Sequence, residues 1–149
     1  MNDPQTVTSP SAPRSYGGAG VWTAPEMRLC DDWIAPLDTD DIRELETAVE
    51  ATRQIPIVAL SRDDIRLPTL GPKLQSFQRE LVEGRGFLLI RGLPVDRCDR
   101  ETVARMYYGI GAWFGDAVPQ NAAGHVLGHV KDIGHDPHNP LHRVYATSY

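Results

Sequence analysis

The nine residues Gly86-Phe87-Leu88-Leu89-Ile90-Arg91-Gly92-Leu93-Pro94 limit what this chain can become more than any other stretch. Four successive large apolar side chains between glycines predict a strand covered on both faces, because a half-exposed strand alternates apolar with polar residues. The run is too short to stand as a helix, and Gly86, Gly92 and Pro94 oppose extending one through it. The amphipathic segments on either side of it are the natural cover, and Leu89 at its centre is expected to be among the least replaceable residues.

With 149 residues, the chain is long enough for one sizeable core. Its net charge of −5 argues against a nucleic-acid or anionic-membrane surface, which is usually met by clustered Lys and Arg. No apolar stretch approaches the ~20 residues that span a bilayer, and the N-terminus lacks the basic and apolar regions of a signal peptide, so a cytoplasmic protein is expected. The two cysteines, Cys30 and Cys98, fit no metal-binding spacing. They read as free thiols, with a disulfide left open by the sequence.

Residues 1–20 are rich in Pro, Ser, Thr, Gly and Ala and are expected to be a disordered tail, with the folded domain spanning 21–149. Trp22, Met27, Leu29, Trp33, Ile34 and Leu37 then bring apolar surface. A helix is predicted over 39–53, with Asp38 or Thr39 as its cap, Asp40 and Asp41 at the positive end of the dipole, and Ile42, Leu45, Val49 and Thr52 on one face. Residues 57–60 read as a short extended segment. A second helix follows Gly71-Pro72 and buries Leu74, Phe77 and Leu81. A third runs from an Asp99 cap to about Phe114, burying Val103, Met106, Tyr107, Ile110 and Trp113, with a close packing contact expected at Gly109 and Gly111. Beyond it, 115–124 reads as a loop, 125–130 as a strand, 134–140 as a loop and 143–147 as the start of a last strand.

The run from Gly86 to Asp96, followed by Tyr107-Tyr-Gly-Ile-Gly and by Gly115-Asp-Ala-Val-Pro-Gln-Asn-Ala-Ala-Gly-His-Val-Leu-Gly-His-Val-Lys-Asp, resembles the N-terminal half of TauD/TfdA-like, Fe(II)- and 2-oxoglutarate-dependent dioxygenases. Upstream, Asp32-Trp-Ile-Ala-Pro-Leu and Leu67-Pro-Thr-Leu-Gly-Pro resemble that group as well. The resemblance implies an α+β chain: the N-terminal portion of a double-stranded β-helix, or jelly roll, with flanking helices, incomplete here. It also implies a parent enzyme that hydroxylates a small organic substrate with Fe(II), 2-oxoglutarate and oxygen.

The iron chemistry needs two histidines and a carboxylate on one side of the metal, and the family supplies the first pair as His-x-Asp or His-x-Glu on a strand. Two residues after the five histidines stand Leu127, Lys131, Pro137, Pro140 and Val144, none of them acidic. In the family the motif is expected just beyond the segment matching Tyr145 to Tyr149, so no catalytic or metal ligand is assigned, and neither cofactor is expected to bind productively to this chain. Gln120 and Asn121, in a loop that the family places near the active-site mouth, are candidate substrate contacts; equally, such amides tie down their own loop backbone. Thr147 and Ser148, leading into the metal motif of a complete enzyme, are candidates too, against a plain solvent-facing role. Arg91 reads as half of a buried ion pair, ahead of a substrate role.

Two further readings stay open. The chain could act without catalysis, binding a partner through exposed sheet edges, and unpaired edges predict self-association in any case. His125/His129 and His138/His142, four apart, would suit a small zinc protein if they lay on a helix, but glycines and prolines break that segment.

Overall fold

The computed structural model describes residues 17–119, 124–132, 134, 136, 138–139 and 145–148. The expected tail lies outside them up to residue 16; residues 17–20 form an exposed turn. In order come α1 (Ala24–Met27), β1 (Ile34–Pro36), α2 (Thr39–Ala51), a 3-10 turn (Ile57–Ala59), α3 (Leu70–Glu83), β2 (Leu89–Arg91), α4 (Arg100–Gly111), β3 (His129–Asp132) and β4 (Tyr145–Ser148).

The core belongs to the helices. Ile42, Leu45, Ala48 and Val49 recur at helical spacing on α2 and meet Leu70 and Leu74 of α3, Met106 and Ile110 of α4, and Ile65 and Leu67 of the connecting segment. Each helix start is closed chemically. Asp38 accepts hydrogen bonds from the Asp40 and Asp41 amides while Asp41 accepts one from the Asp38 amide at 3.0 Å, a reciprocal cap. Asp99 accepts from the Thr102 amide at 2.8 Å. Thr69 gives α3 no side-chain cap, and Glu44 of α2 supplies it instead, accepting from the Thr69 and Leu70 amides. The end of α2 is closed by Arg105, only 4% exposed, whose guanidinium donates to the carbonyls of Thr52, Arg53 and Ile55 and to Glu101. A Cβ on Gly71 would overlap the Trp113 ring, so glycine is what lets α3 approach the end of α4.

β1 and β2 pair in parallel, Ile34 with Leu89, Ala35 with Ile90 and Pro36 with Arg91. A parallel pair needs a long crossover, here supplied by α2 and α3. Gly92, at φ 103°, turns the chain immediately after β2, where any Cβ would press on the Leu37 carbonyl oxygen. β3 and β4 form a separate antiparallel pair.

Several expectations need correction. The run around Leu89 is not covered on both faces: Leu89 is 38% exposed and Ile90 half-buried. Side chains of a strand alternate, and the helical layer takes only the face of Ala35, Leu37 and Ile90. Arg91 is exposed, not a buried partner; among the described residues the buried arginine is Arg105. Residues 57–59 form a 3-10 turn after Pro56 rather than an extended segment, closed by the Ala59 amide on the Pro56 carbonyl at 2.9 Å. α4 stops at Gly111, and Tyr107 is 63% exposed because Met106 and Ile110 already fill the buried face. Gly109 does pack closely against Ile65, whereas Gly111 faces open space. The strand expected over 125–130 begins only at His129.

Candidate functional site

An open groove of about 900 Å³ lies between β2, α4 and the segments at 60–63, 114–118 and 126–127. β2 places Leu88 and Ile90 on its wall, since residues two apart share a strand face. α4 contributes Ile110 from its buried stripe and Tyr107 and Tyr108 from its margin. Consecutive helix positions diverge by about 100°, so two adjacent tyrosines cannot both be core. Tyr108 donates its hydroxyl to the Val58 carbonyl at 3.2 Å, which fixes it, while the Tyr107 phenol meets solvent.

Polar groups stand around these apolar walls. The Arg62 guanidinium lies 4.2 Å from the centre of the Trp113 ring, a cation–π contact, and the Trp113 indole donates to the Ile65 carbonyl at 3.2 Å. The Ser61 hydroxyl and amide both donate to Asp64, at 2.5 and 2.9 Å, closing a turn and holding the Asp64 carboxyl below its ordinary range. The groove thus has apolar walls and a polar rim.

A second polar cluster lies by the sheet. Arg85 donates to Asp32 at 2.8 Å, holding that carboxyl low, and its guanidinium lies 5.9 Å from the Phe87 ring. Hydrogen bonding to Asp32, then burial, pushes the Cys30 thiol up, which keeps it protonated and a poor nucleophile. Both cysteines are free, as read from the sequence.

Of the candidate substrate contacts, Gln120 and Asn121 lie outside the described residues. Thr147 and Ser148 fall on β4, opposite Val130 and His129 of β3. The histidine-grip geometry does not form at His125 and His129, because residues 125–128 are irregular and His129 opens a strand. His138 is exposed, its amide donating to Asp136 at 2.9 Å; His135 and His142 lie outside the described residues. Among the described residues no three of His, Cys, Asp or Glu converge as a metal site, and no helix is long and apolar enough to cross a membrane. The described residues supply no set of ligands that fits an iron centre. The groove residues Tyr107, Arg62 and Asp116 were not singled out as site residues by sequence reasoning; the signal for Tyr107 was the tyrosine pair itself.

No protein-family profile matches the chain. It is similar to the Taurine hydroxylase-like protein SAT17 of Stachybotrys chartarum, at 29% identity over 115 residues, which is 75% of this chain and 30% of that protein. The chain therefore spans less than a third of the length of this relative.

Proposed function

We propose that this chain is part of an Fe(II)- and 2-oxoglutarate-dependent dioxygenase that hydroxylates a small organic substrate, and that it contributes helices and opening strands to a jelly roll. The observation that carries this reading is the similarity, over three-quarters of the chain, to a taurine hydroxylase-like protein. The helices share one buried core, while β1 and β2 form a two-stranded sheet among the described residues, consistent with a supporting portion of a larger β fold. In this reading the iron ligands and the cosubstrate arginine belong to residues outside this chain, and the chain's own share is the apolar groove beside β2 and α4.

Sequencing of the transcript that encodes the chain tests the assignment. A His-x-Asp or His-x-Glu pair following the Tyr149 codon, in frame or one frameshift away, supports it; a transcript that continues without one counts against it. The chain alone, given Fe(II), ascorbate, oxygen and 2-oxoglutarate, is expected to form no succinate above a heat-denatured control. Succinate that disappears when all five histidines are replaced by alanine would place the iron site inside this chain and overturn that part of the reading.

A further inference from the structure

We propose that residues 17–32 form a strap that swings about Trp33, off the turn at 84–87, while the helical core stays closed, and that Phe87 is the side chain that holds it shut. The core cluster begins at Leu37, and within 17–32 only Met27 is even half-buried. What holds the strap converges on one short turn. The Phe87 ring lies 4.9 Å from the Trp22 ring, edge to face, and 5.8 Å from the Trp33 ring, so it meets both the far end of the strap and its base. Asp32 accepts from the Arg85 guanidinium at 2.8 Å, and a Cβ on Gly20 would lie 3.8 Å from the Gly84 carbonyl oxygen.

The two sides of this contact are anchored differently. The turn belongs to α3: the Gly84 and Gly86 amides donate to the Glu80 carbonyl at 3.1 and 3.4 Å, and the Arg85 amide donates to the Glu80 carboxylate at 3.1 Å. The strap bonds to itself. The Thr23 amide donates to the Glu26 carboxylate, and the Met27, Arg28 and Leu29 amides donate to the carbonyls of Thr23, Ala24 and Glu26. Trp33 ties its base to the sheet, since the Trp33 carbonyl accepts from the Leu89 amide at 2.9 Å. A segment that buries so little apolar surface opens at a fraction of the global unfolding cost. Opening uncovers the Phe87 ring and releases the Arg85 guanidinium, whose side chain is 16% exposed when paired with Asp32. It also takes Asp32 from the wall of the groove lined by Ile34, Lys73, Phe77, Arg85 and Leu88. The strap thus gates this side of β2, and it does so whether or not the enzymatic reading holds.

Amide hydrogen exchange of the purified chain in rising urea tests it. A helix as short as α1 does not persist alone, so protection of the Met27, Arg28 and Leu29 amides reports the docked strap. These amides are expected to be protected, yet to exchange through an opening that urea barely accelerates, long before the amides of α2 and α3. Phe87→Ala removes both ring contacts and should speed exchange of the strap amides about tenfold or more, with the α2 and α3 amides unchanged. Should Phe87→Ala unfold the chain, Trp22→Ala tests the same contact from the exposed side and should shift the strap amides in the same direction. Strap amides that exchange together with those of α2 and α3 would show that it opens only on global unfolding, and overturn the proposal. Exchange at the rate of an unstructured peptide in wild type, or strap amides indifferent to Trp22→Ala, would overturn it equally.

Discussion

Leu74 on α3, flanked by Lys73 and Gln75, and Leu89 on β2, flanked by Leu88 and Ile90, are the same residue and end in opposite environments, fully buried in the first case and 38% exposed in the second. The difference comes from what each element can find to cover it. α3 meets α2 and α4 within the same chain, and the three helices close a core whose buried polar side chains all have partners among the described residues. Among the described residues β2 has one strand neighbour and helical cover on one face, which leaves Leu89 38% exposed. Hydrophobicity of a strand therefore reports what it will bury in its final assembly, whereas the amphipathic stripe of a helix reports its local neighbours.

The largest expected effect lies on the helical side. Leu74→Ala should cost about 2–5 kcal/mol, because a fully buried leucine leaves a cavity that a packed helix interface fills poorly. Urea denaturation of wild type and variant measures it. A cost below that of an exposed site would mean that the three-helix layer is not the seat of stability, and the comparison would collapse.

This contrast also marks what was legible in the sequence. Helix α2 was readable almost to the residue, since its cap, acidic first turn and buried stripe all point the same way. α4 was readable in position but not in full orientation, because Tyr107 and Met106 compete for one face and only tertiary packing decides. β1 escaped notice: three residues ending in proline carry no periodic signal, and their strand character comes from a partner more than fifty residues away. Arg105 was invisible for the same reason, since its value lies in carbonyls that α2 leaves open. Of the candidate site, Leu88, Ile90 and Ile110 were in sequence view as apolar positions, but nothing local reveals that they line a shared groove.

Arg105 provides the next test. Arg105→Leu keeps much of the side-chain volume and strips the donors from the carbonyls of Thr52, Arg53 and Ile55. Leaving these buried and part-buried acceptors unpaired should cost about 2–4 kcal/mol, and Arg105→Lys should recover only part of it, because an ammonium cannot span the fork. Full recovery by lysine would show that charge, not fork geometry, closes the end of α2.

On the sheet side the effect should shrink. Leu89→Ala is expected to cost about 1 kcal/mol, since much of the side chain already meets water and its removal leaves no closed cavity. The test is the difference from Leu74→Ala under the same denaturant. Equal costs would mean that the outer face of β2 is covered in solution.

Acid should act more gently, and it sharpens the comparison by choosing the helices. The Asp41 and Asp40 amides hold the Asp38 carboxyl below its ordinary value, and the Thr102 amide and hydroxyl do the same for Asp99. A carboxyl whose folded pKa lies below its unfolded one contributes stability that is complete above the unfolded pKa and is lost as the pH falls through the folded one. The melting temperature should hold near neutrality and decline below about pH 4, with the first turns of α2 and α4 loosening in hydrogen exchange before the rest. Asparagine caps a helix about as well as aspartate but does not titrate, so Asp38→Asn with Asp99→Asn should keep neutral stability and flatten the decline. Some slope will persist, because Asp32 beside Arg85 and Asp64 beside Ser61 are also held low. An undiminished decline in the double variant would assign the acid sensitivity to those pairs and remove the helix caps from the account.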